Sequence, residues 1–277
     1  MKDTKTLSTV QPLDAGGDPP DGAVTQEAVD FAVDAAQRAG RITLQWYQQR
    51  SLAVSAKSDG SPVTEADYAA ERLLRSEISA VYPDDTIWGE EEGVWAGRTG
   101  RTWVIDPIDG TKAFVQGVPL YATLLALVDD RGPAVGVIAL PALDECVWAG
   151  RGRGAYWNGV PCRVSDRAGL EDSYVCTSGL TYWPEPALER VRAAGARVRT
   201  WGDAYGYALV ATGRAEAMVD PECFDWDVAP MAVIMAEAGG RFSDVAGSDE
   251  WRSGSAVGTN GLLHDDLLAC FSQKPSR

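Results

Sequence analysis

The segment WVIDPIDGTKAF, residues 103–114, runs an apolar stretch into two aspartates, Asp106 and Asp109, followed at once by Gly110, Thr111 and Lys112. A turn needs one such residue at most, and the strand leading in is too apolar to lie in solvent, so the pair calls for chemistry. Further carboxylates stand where other elements end or begin: Glu90, Glu91 and Glu92 after TIWG, Asp227 inside FDWDVAP, and Asp67 at the start of a predicted helix. Taken singly, Asp227 reads as an N-cap, Asp67 as a capping-box member and the glutamates as a solvated loop. Taken together, oxygen donors without histidine suit Mg²⁺ and argue against Zn²⁺. The single histidine, His264 in LLHDDLL, is expected on the surface of a helix or loop and not as a ligand. Two such cations about 3.5–4 Å apart share a bridging carboxylate, stabilise the attacking and leaving oxygens, and generate hydroxide at neutral pH.

Charge sharpens that reading. The 277-residue chain carries 40 acidic against 25 basic residues, a formal net charge of −15, which opposes nucleic-acid binding. It equally disfavours a small anionic substrate unless cations or helix N-termini supply positive charge. Gly110 and Thr111 offer backbone N–H groups at a predicted helix start, a phosphate site by type. A nucleophilic aspartate of the haloacid-dehalogenase kind is disfavoured, because DPIDGT separates its aspartates by one residue too many for a DxDxT box. With His264 as the single histidine no Ser/His/Asp set is credible, and RGRGAYWNG (151–159) lacks the Rossmann fingerprint.

These residues must be positioned by the elements around them. Apolar spacing of three and four predicts a helix over 25–49, capped by Thr25, and a second from Glu65 to Val81 with Thr64 and Asp67 as its capping box and Pro83 beyond its end. TIW and TWVID read as strands, YATLLALV and AVGVIAL as a hairpin about DDRGP, and CVWAG as a further strand, so the first half is an antiparallel meander. Beyond Gly154, strands at SYVCTS and RVRTW alternate with helices at about 185–194, 204–212 and 228–238, the last two closed by Gly213 and Gly239. Five scattered cysteines without a CxxC pair indicate a reducing compartment. No secretory or transmembrane stretch is apparent, so a cytoplasmic protein without membrane contact is expected. Residues 1–24 read as a disordered lead-in, and 25–277 as one domain, divided into a metal-binding α+β half (about 25–154) and an α/β half (155–277).

WGEEEG, WVIDPIDGTKAF, FDWDVAP, EAGGRFSD and SAVGTNGLLHDDLL occur in this order over about residues 27–271. Together they resemble the inositol monophosphatase family of Mg²⁺-dependent, lithium-sensitive phosphatases. The resemblance implies an α/β (α+β) fold, a layered αβαβα sandwich, in a homodimer with two or three Mg²⁺ per active site. It implies that Glu90, Asp106 and the backbone carbonyl of Ile108 bind one Mg²⁺, that Asp106, Asp109 and Asp227 bind the second, and that Glu90 helps hold a third. Glu91 and Asp67 then orient ligands or water, Thr111 with Glu90 activates the attacking water, and the Gly110 and Thr111 amides hold phosphate. Lys57, in AKSDGSPVTEAD, matches a lysine of the loop that closes over the metals.

Within that family, WGDAYGYALVATGRAEAMVDP is similar to the histidinol-phosphate phosphatases and places Asp203 and Asp220 toward the alcohol part of the substrate. Histidinol phosphate carries an ammonium and an imidazole, which acids can pair with. The plain alternatives are a helix cap for Asp203 and a strand end for Asp220. Pro230 after the WDVA of FDWDVAP, the additional Asp225 and the N-terminal extension depart from the pattern. The expected activity is a phosphomonoesterase cleaving L-histidinol phosphate by direct attack of metal-activated water. The alternatives are an inositol-1-phosphate or sugar-phosphate phosphatase and, from another class, a non-catalytic metal-binding module.

Overall fold

The computed structural model describes residues 22–50 and 52–272, so most of the expected lead-in, residues 1–21, lies outside the described residues. Residues 22–24 are tied to the body: the Val24 N–H donates to Arg151 O at 3.0 Å, and Arg131 donates to Gly22 O at 2.8 Å.

Helix α1 (Gln26–Thr43) starts where Thr25 Oγ1 accepts the Ala28 N–H, and its buried face is built from small residues, Ala28, Ala32, Ala35, Ala36 and Ala39. It ends earlier than periodicity predicts, because the chain turns at residues 44–48 and packs Trp46 and Tyr47 onto Phe114 and Tyr121. Strands β1 (Val54–Ala56) and β2 (Pro62–Thr64) form a hairpin absent from the sequence reading, which took this segment as loop. Helix α2 (Glu65–Val81) has the predicted bounds and the predicted capping box of Thr64 and Asp67.

Strands β3 (Thr86–Gly89), β4 (Gly93–Trp95) and β5 (Thr102–Asp109) lead to the five-residue helix α3 (Thr111–Val115). The meander continues through β6 (Ala122–Asp129), β7 (Gly132–Leu140), β8 (Glu145–Gly150), β9 (Gly154–Trp157) and β10 (Val160–Pro161). All eight strands from β3 to β10 make one sheet, antiparallel except where β3 runs parallel to β5. The second half adds β11 (Tyr174–Cys176), α4 (Glu185–Ala193), β12 (Arg197–Arg199), α5 (Asp203–Ala211) and β13 (Ala217–Asp220). It closes with α6 (Asp225–Val228), α7 (Met231–Glu237), β14 (Arg241–Ser243), β15 (Ala256–Thr259) and α8 (His264–Ser272). Its five strands form a second sheet in the order β12-β11-β13-β15-β14.

The cores define the layers. Helices α1 and α2 cover one face of the large sheet through Ala35, Leu74, Ile105 and Val137. Its other face packs on α5 and α7 through Leu124, Ile138, Tyr207 and Ile234, and these helices also meet the small sheet. On the far face of the small sheet, α4 and α8 bury Leu188, Val191 and Leu267 against Val175 and Val219. This αβαβα sandwich is the expected fold.

Two expectations need correction. The helix predicted over 228–238 is broken into α6 and α7, because Pro230 lacks the N–H a continuous helix requires and instead opens α7. His264 is fully buried rather than exposed, with its ring nitrogens 2.9 Å from Ser243 Oγ and Thr259 Oγ1. Its neighbours Asp265 and Asp266 are exposed, whereas the residue opening α8 faces the sheet.

Candidate active site

Asp106 and Asp109 are three residues apart, an odd separation that would send them to opposite faces of a regular strand. Asp106 pairs with Leu124 and Asp109 with Ala122, so three steps on β5 oppose two on β6. The resulting bulge re-aims the second carboxylate. Pro107 is tolerated there because the ladder asks no N–H of it, and its carbonyl accepts Thr123 Oγ1–H at 2.8 Å. Asp227 arrives from the other half of the chain on α6, where its carboxylate accepts the Phe224 N–H at 2.9 Å. It is thus the third residue of that helix and not the N-cap of a longer one. One oxygen each from Asp106, Asp109 and Asp227 lies within 4.8 Å of the others.

Burial and mutual repulsion raise all three acids. Asp106 is held well above the usual carboxylate range by desolvation, then by the charges of Glu90, Asp109 and Asp227. Asp109 is raised by burial and by Asp203 and Asp227. Asp227 is pushed up to about 8, chiefly by burial, against the Phe224 N–H that favours its anion. Asp106 Oδ1 is buried with no hydrogen-bond partner among the described residues. Anions so crowded must take up protons or cations, and a set of hard oxygen donors fits a divalent cation of the Mg²⁺ type.

Glu90 reaches the site because β3 runs parallel to β5, setting Gly89 against Ile105, and its own N–H donates to Ile105 O at 3.1 Å. Its carboxylate stands outside the converging trio and meets Lys57, whose Nζ lies 2.6 Å from both Glu90 Oε1 and Glu91 Oε1. Burial pulls the Lys57 ammonium down, but the bonds to Glu90 and Glu91 outweigh it and leave the group raised. Glu91 is pushed up to about 7 by burial, against the bond from Lys57. Asp67 is both capping-box residue and site neighbour: Oδ2 accepts from the Thr64 N–H and hydroxyl, while buried Oδ1 has no partner among the described residues. Its pKa is raised to about 6, by burial first.

Thr111 opens α3, and its hydroxyl donates to Ile108 O at 2.9 Å, so that carbonyl keeps one further lone pair. Gly110 takes φ of +79°, and a Cβ there would stand 3.0 Å from Asp203 Oδ2 and 3.1 Å from Leu120 O. Asp203 begins α5 with φ of +53°; its N–H donates to Ser178 Oγ at 2.9 Å and the next, Ala204 N–H, to Asp109 Oδ2 at 2.6 Å. Asp220 ends β13, accepting the Ser178 hydroxyl at 2.6 Å and the Tyr207 hydroxyl at 3.0 Å. Desolvation raises both aspartates, Asp220 to about 6.

Glu90, Asp109, Gly110, Thr111, Asp203, Asp220 and Asp227 all line one cavity of about 570 Å³. Several contributors escaped the sequence reading. Fully buried Glu71 accepts the Glu91 and Glu92 N–H groups at 2.8 and 2.9 Å, fixing the strand end that carries Glu90. A mid-helix glutamate gives no local sign of such a task. Ser178, Lys112 and Glu222 line the cavity as well, and Tyr207 was visible as the second tyrosine of GDAYGY.

The chain matches the model of the inositol monophosphatase family over residues 25–276. It is 42% identical over 248 residues to a histidinol-phosphatase of Chlorobaculum parvum, covering 88% of this chain and 96% of that one. A histidinol-phosphatase of Mycobacterium tuberculosis is 41% identical, with 86% and 95% covered. Among solved structures, the extragenic suppressor protein SuhB from Bartonella henselae superposes with a TM-score of 0.84 at 31% identity, covering 90% of this chain and 99% of that one. The matched length, the sandwich and the convergent acids agree, and the chain belongs to the inositol monophosphatase family.

Proposed function

We propose that this phosphoric monoester hydrolase cleaves L-histidinol phosphate, using divalent cations held by its acidic centre. The observation carrying the substrate is the acidity of the cavity beyond the converging trio: Asp203, Asp220 and Glu222 line it, with Lys112 as the one basic residue among the lining groups. A substrate bearing an ammonium and an imidazole complements that charge, whereas a neutral polyol offers these carboxylates only hydroxyl hydrogen bonds and no opposite charge. Relatives named histidinol-phosphatase at 42% and 41% identity support the same reading.

In this proposal Asp106, Asp109 and Asp227, joined by Glu90 and the Ile108 carbonyl, hold two or three Mg²⁺. Bound there, the cations supply Lewis-acid stabilisation of the phosphoryl oxygens and a water acidic enough to attack at neutral pH. The chain itself orients: Gly110 and Thr111 present their amides to the phosphoryl group, Thr111 and Glu90 position the attacking water, and Asp67 and Glu91 steady the carboxylates around it. Asp203 and Asp220 receive the cationic end of the alcohol. Lithium inhibition, a homodimer and a cytoplasmic site belong to the same proposal, the last fitting five free thiols. No helix among the described residues is long and apolar enough to cross a membrane.

The test is a phosphate-release panel with histidinol phosphate, inositol 1-phosphate, fructose 1,6-bisphosphate and other sugar phosphates. Histidinol phosphate should give the highest kcat/KM. A polyol or sugar phosphate turned over better would overturn the substrate, and turnover without a divalent cation would overturn the metal reading.

A further inference from the structure

Tyr207 is fully buried on α5, one helical turn after Asp203, so the two side chains share a face of that helix. Packing holds its ring. A Cβ at Gly258, within β15, would stand 3.0 Å from Tyr207 Cδ1 and 3.1 Å from Cε1, so the glycine leaves room for the ring between helix and small sheet. A phenylalanine would fill the same space. What tyrosine adds is a hydroxyl, and among the described residues its one hydrogen-bond partner is Asp220, at 3.0 Å. Burial and the Asp220 charge hold the phenol well above its ordinary pKa, so it stays a donor. The two oxygens of Asp220 are not equivalent. Among the described residues, Oδ1 accepts the Ser178 hydroxyl at 2.6 Å and the Ser178 N–H at 3.4 Å, whereas Oδ2 accepts the phenol alone and keeps a lone pair for one further donor. Ser178 is fixed in turn, since its Oγ accepts the Asp203 N–H at 2.9 Å. All four residues border the cavity.

We propose that Tyr207 is a positioning residue for substrate selection: its phenol fixes the plane of the Asp220 carboxylate against Ser178 and presents the open lone pair of Oδ2 to the cationic end of the alcohol. The proposal rests on the histidinol-phosphate reading of the cavity. The terminal torsion of an aspartate is soft, so a carboxylate tied at Oδ1 alone swings about that bond. A second donor, on a ring that packing has locked, removes this freedom before the substrate arrives. Tyr207 therefore acts through Asp220 and touches none of the reacting atoms. Its effect belongs to binding of a charged alcohol. A neutral alcohol, which brings no charge for Oδ2 to meet, gains little from the alignment.

The experiment compares steady-state kinetics of wild type and Tyr207→Phe on L-histidinol phosphate and on inositol 1-phosphate, whose alcohol offers hydroxyls only. Where inositol 1-phosphate turns over too slowly, its inhibition constant replaces KM. Tyr207→Phe should raise KM for histidinol phosphate roughly tenfold, the size of a hydrogen bond to a charged group, and change kcat far less, while inositol 1-phosphate binds much as before. In an Asp220→Asn background Tyr207→Phe should add little. Thermal unfolding checks that the variant folds; if it has no cooperative transition, Ser178→Ala, which frees the other oxygen, should show the same selective rise in KM. In a folded variant, an unchanged KM for histidinol phosphate, an equal rise for both esters, or a full effect persisting beside Asp220→Asn overturns this proposal alone. Wild-type protein that prefers inositol 1-phosphate overturns the substrate reading, and this proposal with it.

Discussion

At the residue scale, the centre is a set of buried carboxylates each denied a comfortable anionic state. Replacing Asp106 with asparagine removes the carboxylate on which Glu90, Asp109 and Asp227 all press. Turnover should fall by roughly 10²–10³-fold or more, while the metal-free protein keeps or gains thermal stability because a buried repulsion is gone. Phosphate release and thermal unfolding of Asp106→Asn check both halves; a less stable variant of normal activity contradicts the account. Asp203 makes a different prediction, because it lines the cavity without belonging to the converging trio. Asp203→Asn should raise KM for histidinol phosphate roughly tenfold, the size of one charge-assisted hydrogen bond, with little change for a phosphate ester lacking the amine. Steady-state kinetics on the two esters separates this from a general loss of function.

At the element scale, what holds the site is close backbone approach. In the middle of β7, Gly136 packs against the carbonyl and Cα of Pro230, and any Cβ there would overlap them. Pro230 opens α7 three residues after Asp227, so this contact sets how near α6 stands to the large sheet. Gly136→Ala should cost about 2–3 kcal/mol of unfolding free energy, since backbone cannot give way as a flexible side chain would. Denaturant melts measure it; a neutral substitution would mean that α7 is free to shift. The bulge in β5 acts similarly, converting an unfavourable odd spacing into two carboxylates on one centre.

For the whole molecule, the two sheets are bridged by α5 and α7, and the acids reach the centre from both halves of the chain. Stability of the second half is linked to pH through His264, whose pKa is lowered from 6.5 to about 4, chiefly by burial. Between those values the unfolded chain binds more protons, so this contribution is complete above about 6.5 and is lost as pH falls toward 4. The loss is on the order of 3 kcal/mol across that window. The stability difference between wild type and His264→Gln should therefore shrink on going from pH 7 to pH 5, while the pH dependence of the shared carboxylates cancels. A difference independent of pH would show that His264 does not titrate with folding.

Much of this was legible along the chain. Helix α2 with its capping box, the strand that ends in Asp106, the hairpin about DDRGP and the closing glycines Gly213 and Gly239 are local decisions, set by hydrophobic period and turn chemistry. The identities of the acidic residues were legible too, because a buried strand does not end in two aspartates without a reason. The break at Pro230, the β1–β2 hairpin and the burial of His264 were not, since each depends on what another segment presents. The same holds for Glu71 under Glu91, Ser178 between Asp203 and Asp220, and Lys57 between Glu90 and Glu91. Sequence alone determined which groups could do the chemistry, because residue type and local period are written in neighbouring positions. Tertiary structure alone decided which of them share a charge, because Coulomb energy and desolvation depend on distances that chain separation does not record.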